Sequence, residues 1–157
     1  MISRRRFITI AAAAAAGAAF ARPEPSLRWR GVAMGADVSI DLGPAQDTNG
    51  EAALAAAVDT IRRMERLFSI YDPKSALSRL NRDGEISAEP EFQRLIRLAG
   101  KAHALTGGLF DPTLQPLIMA KLQRRRPTDA ERERIGWNLV DIEGSAVRYS
   151  KPGMAMT

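Results

Sequence analysis

Val38, Ile40 and Leu42 alternate with Asp37, Ser39 and Asp41, the period of two that marks a half-buried strand. The spacing predicts strand across residues 27–42, with Gly35 in Met34-Gly35-Ala36 permitting a bend or a close ligand approach. The period then changes. Leu54, Val58, Ile61, Met64 and Phe68 recur at three- and four-residue steps, behind a Thr48-x-x-Glu51 capping box and ahead of Ser69. Residues 75–81 predict a short helix closed by Asp83-Gly84. A second long helix is predicted over Pro90–Leu105, with Phe92, Leu95, Ile96, Ala99 and Ala102 on one face and Pro90 in the first turn. Residues 112–122 read as irregular or briefly helical. Thr128-x-x-Glu131 caps a short charged helix, and Leu139, Ile142, Val147 and Tyr149 fit two final strands around Glu143-Gly144-Ser145. This order predicts an α+β fold, a largely antiparallel sheet packed with two long helices.

The start of the chain changes the picture of charge. Ser3-Arg4-Arg5-Arg6-Phe7-Ile8, an uncharged run over residues 7–20 and Ala19-Phe20-Ala21 together predict a cleaved twin-arginine-type export signal at 1–21, with a generic secretory signal as the alternative. Residues 22–26, with Pro23 and Pro25, read as an extended tether, and 27–157 as the domain. The run is shorter than the roughly 20 apolar residues a membrane span needs. With no cysteine there is no lipoprotein anchor. Either signal places the mature protein in the periplasm. Losing Arg4, Arg5 and Arg6 lowers the net charge from +5 to +2, a balance that implies no nucleic-acid partner.

Among candidate chemistry, zinc is set aside because a Cys-free chain with one histidine lacks the usual ligand sets. No P-loop, metalloprotease or dinucleotide fingerprint occurs. His103 reads as a helix-dipole partner or packing residue rather than a catalyst. The informative stretch is Thr106-Gly107-Gly108-Leu109-Phe110-Asp111-Pro112-Thr113. Its glycines either let backbone N–H groups approach a ligand or simply cap a helix. Pro112 biases Asp111 toward extended backbone, where its carboxylate either receives a ligand's amino or hydroxyl groups or caps a neighbouring turn. Met34 offers a thioether to a flat ring or fills a core; Tyr71 offers a ring face or anchors a loop.

This stretch, through Pro116-Leu117, meets every fixed position of the TGGxFDPTxxPL block of bacterial FAD:protein FMN transferases, and the chain resembles that ApbE family. Met34-Gly35-Ala36-Asp37-Val38-Ser39-Ile40 is similar to the family's MGTxVSI strand. Phe68-Ser69-Ile70-Tyr71 with residues 75–81 resembles its FSxY and SELSRLN segments, while Gly136-Trp137 and Pro152-Gly153-Met154 resemble its GW and PGM blocks. The resemblance implies transfer of FMN from FAD to a threonine hydroxyl of an acceptor flavoprotein of the cell envelope, with release of AMP and dependence on Mg²⁺. It implies flavin contacts at Met34, Tyr71, Leu109, Phe110 and Asp111, while the twin-arginine export machinery as a partner follows from the arginines at the start of the chain. It names neither catalytic residues nor metal ligands here.

Family members continue into an LGGIAKGYA-type segment and a further half that carries metal-binding residues. Thr157 falls where many have Asp; Asp141 and Glu143 are conceivable substitute ligands, although an acidic pair at a strand-to-turn junction is more often simply solvated. The expectation is a fold incomplete at the C-terminus, with residues 146–157 forming strands that await partners. A noncatalytic periplasmic FAD-binding or flavin-delivery module is the alternative.

Overall fold

The computed structural model describes the backbone of residues 8–10, and residues 27–43 and 49–157 in full. The rest of the signal, the tether and Thr48 lie outside the described residues. The chain divides into two compact units, Met1–Glu65 and Arg66–Thr157.

In the first unit, β2 (Leu27–Ala33) and β3 (Ala36–Leu42) pair antiparallel from Leu27↔Leu42 to Ala33↔Ala36, with an Arg28–Asp41 ion pair across them. Their two-residue turn, Met34-Gly35, has positive φ at both positions (51° and 73°), as the right-handed twist of a tight hairpin favours. On its other side β3 pairs in parallel with β1 (Ile8–Ile10), inside the segment predicted as signal. Helix α1 (Gly50–Phe68) ends where the pattern predicts; Val58 is buried and Leu54, Ile61 and Met64 half-buried, while Arg62, Arg63 and Arg66 face solvent.

In the second unit, α2 (Ala76–Asp83) starts at a Ser75 cap and stops at Gly84, whose φ of 78° only glycine adopts without strain. Helix α3 (Pro90–Leu105) has the predicted bounds. A 3-10 turn (Pro112–Leu114) leads into α4 (Gln115–Leu122), and the Thr128–Glu131 capping box forms at α5 (Asp129–Arg132). Three strands close the unit: β4 (Glu85–Ser87), β5 (Val140–Glu143) and β6 (Ala146–Tyr149), all antiparallel in the order β4-β6-β5. Leu80, Phe92, Val147, Met154 and Met156 are almost wholly buried, and Phe92 stacks on Phe68 at 5.2 Å.

The fold is α+β as expected, with the strands shared between two three-stranded sheets. The expectation for residues 146–157 is corrected. β6 is the central strand, with Val147 between Ile86 and Ile142, so its backbone is paired on both sides. The missing signal was β4, whose three residues are too few to show a period.

Candidate functional site

Serine hydroxyls build the loop between α1 and α2. Ser75 and Ser78 both donate to the Ser69 carbonyl (2.6 and 3.0 Å), Ser69 Oγ accepts from the amides of Tyr71 and Asp72, and Asp72 accepts from Lys74 N–H. With its backbone tied down, the loop leaves Tyr71 69% exposed. The ring stands at a groove of about 370 Å³ lined by Ile70, Tyr71, Pro73, Ser78, Asn81, Arg82 and Gln115. Arg82 lies along this groove in a two-pronged pair with Asp83, which holds the Asp83 carboxyl below its ordinary range.

Asn81 forms the floor. Its Oδ1 accepts from the Tyr149 hydroxyl (2.7 Å) and Met156 N–H (2.9 Å), and its Nδ2 donates to Met156 O (2.9 Å) and Gln115 Oε1 (3.1 Å). These four bonds fill the capacity of a primary amide. They join α2, α4, β6 and the segment after it. Burial pushes the Tyr149 phenol well above its ordinary value, with the Met156 backbone bond partly opposing.

At the end of α3, Gly107 N–H reaches Ala104 O and Gly108 N–H reaches His103 O, with positive φ at both glycines. This pair of bonds is a Schellman cap. Leu109 N–H bonds Thr106 O and Phe110 N–H bonds Thr106 Oγ1, so the amides of residues 107–110 are all used internally. Of the two readings of the glycines, the structure takes the helix cap. The turn instead pushes side chains out, Leu109 at 91% exposure and Phe110 at 44%.

Asp111 has the extended backbone expected before proline (φ −138°, ψ 114°). Its carboxylate turns inward. Oδ1 accepts from Thr113 N–H (2.8 Å) and Oγ1–H (2.6 Å), and Oδ2 accepts from Trp137 N–H (3.2 Å). Thr113 Oγ1 accepts in turn from Gly136 N–H at 2.9 Å. The Trp137 ring lies against Gly100, where an added Cβ would come within 2.6 Å of it. His103 Nδ1 sits 2.8 Å from Phe110 O. Finally, Thr157 N–H bonds Pro112 O.

Met34, in the first unit, holds φ at 51°, uncommon for a side-chain-bearing residue. Its N–H donates to Glu65 Oε1 at 2.9 Å, and its side chain is part-exposed. Of the five residues singled out by resemblance, Leu109, Phe110 and Asp111 thus share one turn, Tyr71 stands on a separate loop of the same unit, and Met34 belongs to the other unit.

Asp141 and Glu143 lie on the solvated surface. Arg148 collects them, at 3.9 and 3.5 Å, together with Glu85 at 2.9 Å, on an exposed face of the sheet. Among the described residues no three Asp, Glu, His or Cys side chains are arranged to hold a metal ion. The described residues therefore do not by themselves fit a Mg²⁺ centre.

Residues 34–157 match the ApbE family model. The chain belongs to the ApbE family. No curated protein sequence matches it. Solved structures similar to it include the flavin transferase ApbE from Vibrio cholerae (22% identity, TM-score 0.70, covering 84% of this chain and 48% of that one). The ApbE protein from Thermotoga maritima aligns at 24% identity and TM-score 0.69, over 84% and 47%. The flavinyl transferase ApbE from Pseudomonas stutzeri aligns at 17% identity and TM-score 0.68, over 87% and 50%. At these identities the likeness shows the fold, and this ApbE-family chain spans about half the length of those relatives.

The family blocks are what the hydrogen bonds join. The TGGxFDPT block holds the GW block through Asp111 and Thr113, and the SELSRLN-like block holds the residues after PGM through Asn81. Reasoning from sequence missed Asn81, Thr113 and Trp137 as site builders. Their place in the quoted blocks was the available signal.

Proposed function

We propose that this chain supplies part of an exported FAD:protein FMN transferase. In that reaction an acceptor threonine oxygen bonds to the FMN phosphorus of FAD, the pyrophosphate P–O bond breaks, AMP leaves, and the hydroxyl proton passes to a base. The observation that carries the reading is the convergence of separate family blocks on the knot around Asp111, with Leu109 and Phe110 held outward. Exposed, preorganised apolar and aromatic side chains suit a flat ring system, because little ordering remains to be done on binding. Leu109, Phe110 and Tyr71 are the proposed nucleotide contacts of the second unit. Asp111 acts through the turn it holds. Magnesium, which the family resemblance implies, is assigned to none of the described residues, and no step is derived through it.

The proposed address is the periplasm, by a twin-arginine-type signal at residues 1–21 and a tether at 22–26, with an envelope flavoprotein as acceptor. A noncatalytic FAD-binding module is the second reading; the commitment of the Asp111 carboxylate to Thr113 and Trp137 favours it, since that acid positions rather than transfers protons. Incubation with FAD, Mg²⁺ and an acceptor protein separates the readings. Covalent flavin on the acceptor is the expected result for a transferase, reversible FAD binding alone for the module, and neither would overturn both.

A further inference from the structure

His103, in the last turn of α3, has a specific geometry. Phe110 O is a carbonyl and can only accept, so the His103 Nδ1 facing it at 2.8 Å must carry the hydrogen. In the neutral ring Nε2 is then the bare nitrogen, the reverse of the tautomer imidazole prefers in water. The Cε1–Nε2 edge lies beside Gly108, where an added Cβ would stand 3.6 Å from Cε1 and 3.8 Å from Nε2. A side chain at position 108 would thus rest in ordinary van der Waals contact with that edge. Two other groups face the ring: the Asp111 carboxylate, with Oδ2 at 3.7 Å from Nδ1, and the uncharged Trp137 indole at 6.4 Å between centroids.

We propose that His103 is the positioning residue of turn 106–111: its Nδ1–H latches the Phe110 carbonyl and so fixes how Leu109 and Phe110 are presented. The latch closes a loop that the Schellman cap alone leaves free at Phe110 O. The bearing of the latch on ligand binding rests on the flavin site proposed above; the latch itself does not.

The chain has a single histidine, so its ring nitrogens can be read by NMR without assignment. The neutral ring should show hydrogen on Nδ1; hydrogen mainly on Nε2 would overturn the latch. In the full chain, His103→Ala should speed amide exchange at Gly108 and Phe110 by about three- to tenfold, the loss of one hydrogen bond, with α2 unaffected. His103→Gln, whose amide can donate to Phe110 O but does not titrate, should restore much of that protection. Unchanged exchange in His103→Ala refutes the latch. His103→Ala should weaken FAD binding about three- to tenfold, and His103→Gln should restore it. Unaltered FAD affinity in His103→Ala refutes the positioning role. Absence of FAD binding by the unaltered chain defeats the flavin reading, while the tautomer and exchange still decide the latch.

Discussion

Two loops of the second unit present aromatic side chains by different means. Loop 69–75 is held almost entirely by its own serines and by Ser78, all within ten residues of one another. Turn 106–113 is held by partners far along the chain: Asp111 reaches Trp137 and Thr113 reaches Gly136. A locally closed loop can lose a bond and leave the remainder of the unit undisturbed. The remotely closed turn cannot, because its carboxylate is also what fastens the 136–139 segment to the turn. Tyr71 is thus mounted on a self-contained bracket, whereas Phe110 is mounted on the framework.

The sharpest way to break this contrast is Asp111→Ala. It strands Thr113 N–H and Oγ1–H and Trp137 N–H, and should cost about 3 kcal/mol or more, seen as a lower urea midpoint at unchanged slope. A loss below about 1 kcal/mol would mean that the turn is as local as the serine loop. Asn81→Ala tests the element common to both, since Asn81 floors the Tyr71 groove and binds Gln115 just beyond the turn. It should cost about 2 kcal/mol and weaken FAD binding; a stability loss with FAD affinity intact would detach the groove from the ligand. Gly100→Ala ordinarily stabilises a helix by roughly 0.5–1 kcal/mol. Here the new methyl meets the Trp137 ring, so the sign should reverse, to a loss of about 1–2 kcal/mol in thermal unfolding. Ser75→Ala should cost about 1 kcal/mol and raise amide exchange in residues 69–75 alone; spread to residues 106–113 would contradict the contrast.

Smallest is an effect of pH at Glu131, outside both loops. Its bonds to Arg125, and then to Thr128 N–H, lower its carboxyl from 4.5 to about 2. A lowered folded value adds stability above the unfolded value and loses it as pH falls from about 4.5 toward 2. Glu131→Gln should flatten the acid limb slightly, and an unchanged limb would show the pair to be inert, as exposed pairs often are.

What was legible in the chain follows the same division. Helix α3 announced both ends, through Pro90 at its start and Gly107-Gly108 after its last turn, and the Thr128–Glu131 box was readable because its two members are three residues apart. The role of Asp111 as a cap was legible as one of two options, with nothing local to choose between them. The Trp137 amide that settles its hydrogen bonding comes from more than twenty residues away. Asn81 was opaque for the same reason, as its partners Gln115, Tyr149 and Met156 are distant and an Asn within a helix carries no local sign of them.

The two tryptophans fall one to each unit. Trp29 lies half-buried on β2 against Gly31, and Trp137 lies against Gly100 of α3. Each half of the molecule thus contains its own indole emitter in a distinct setting, and replacing either ring by phenylalanine would let the melting of one half be watched without interference from the other.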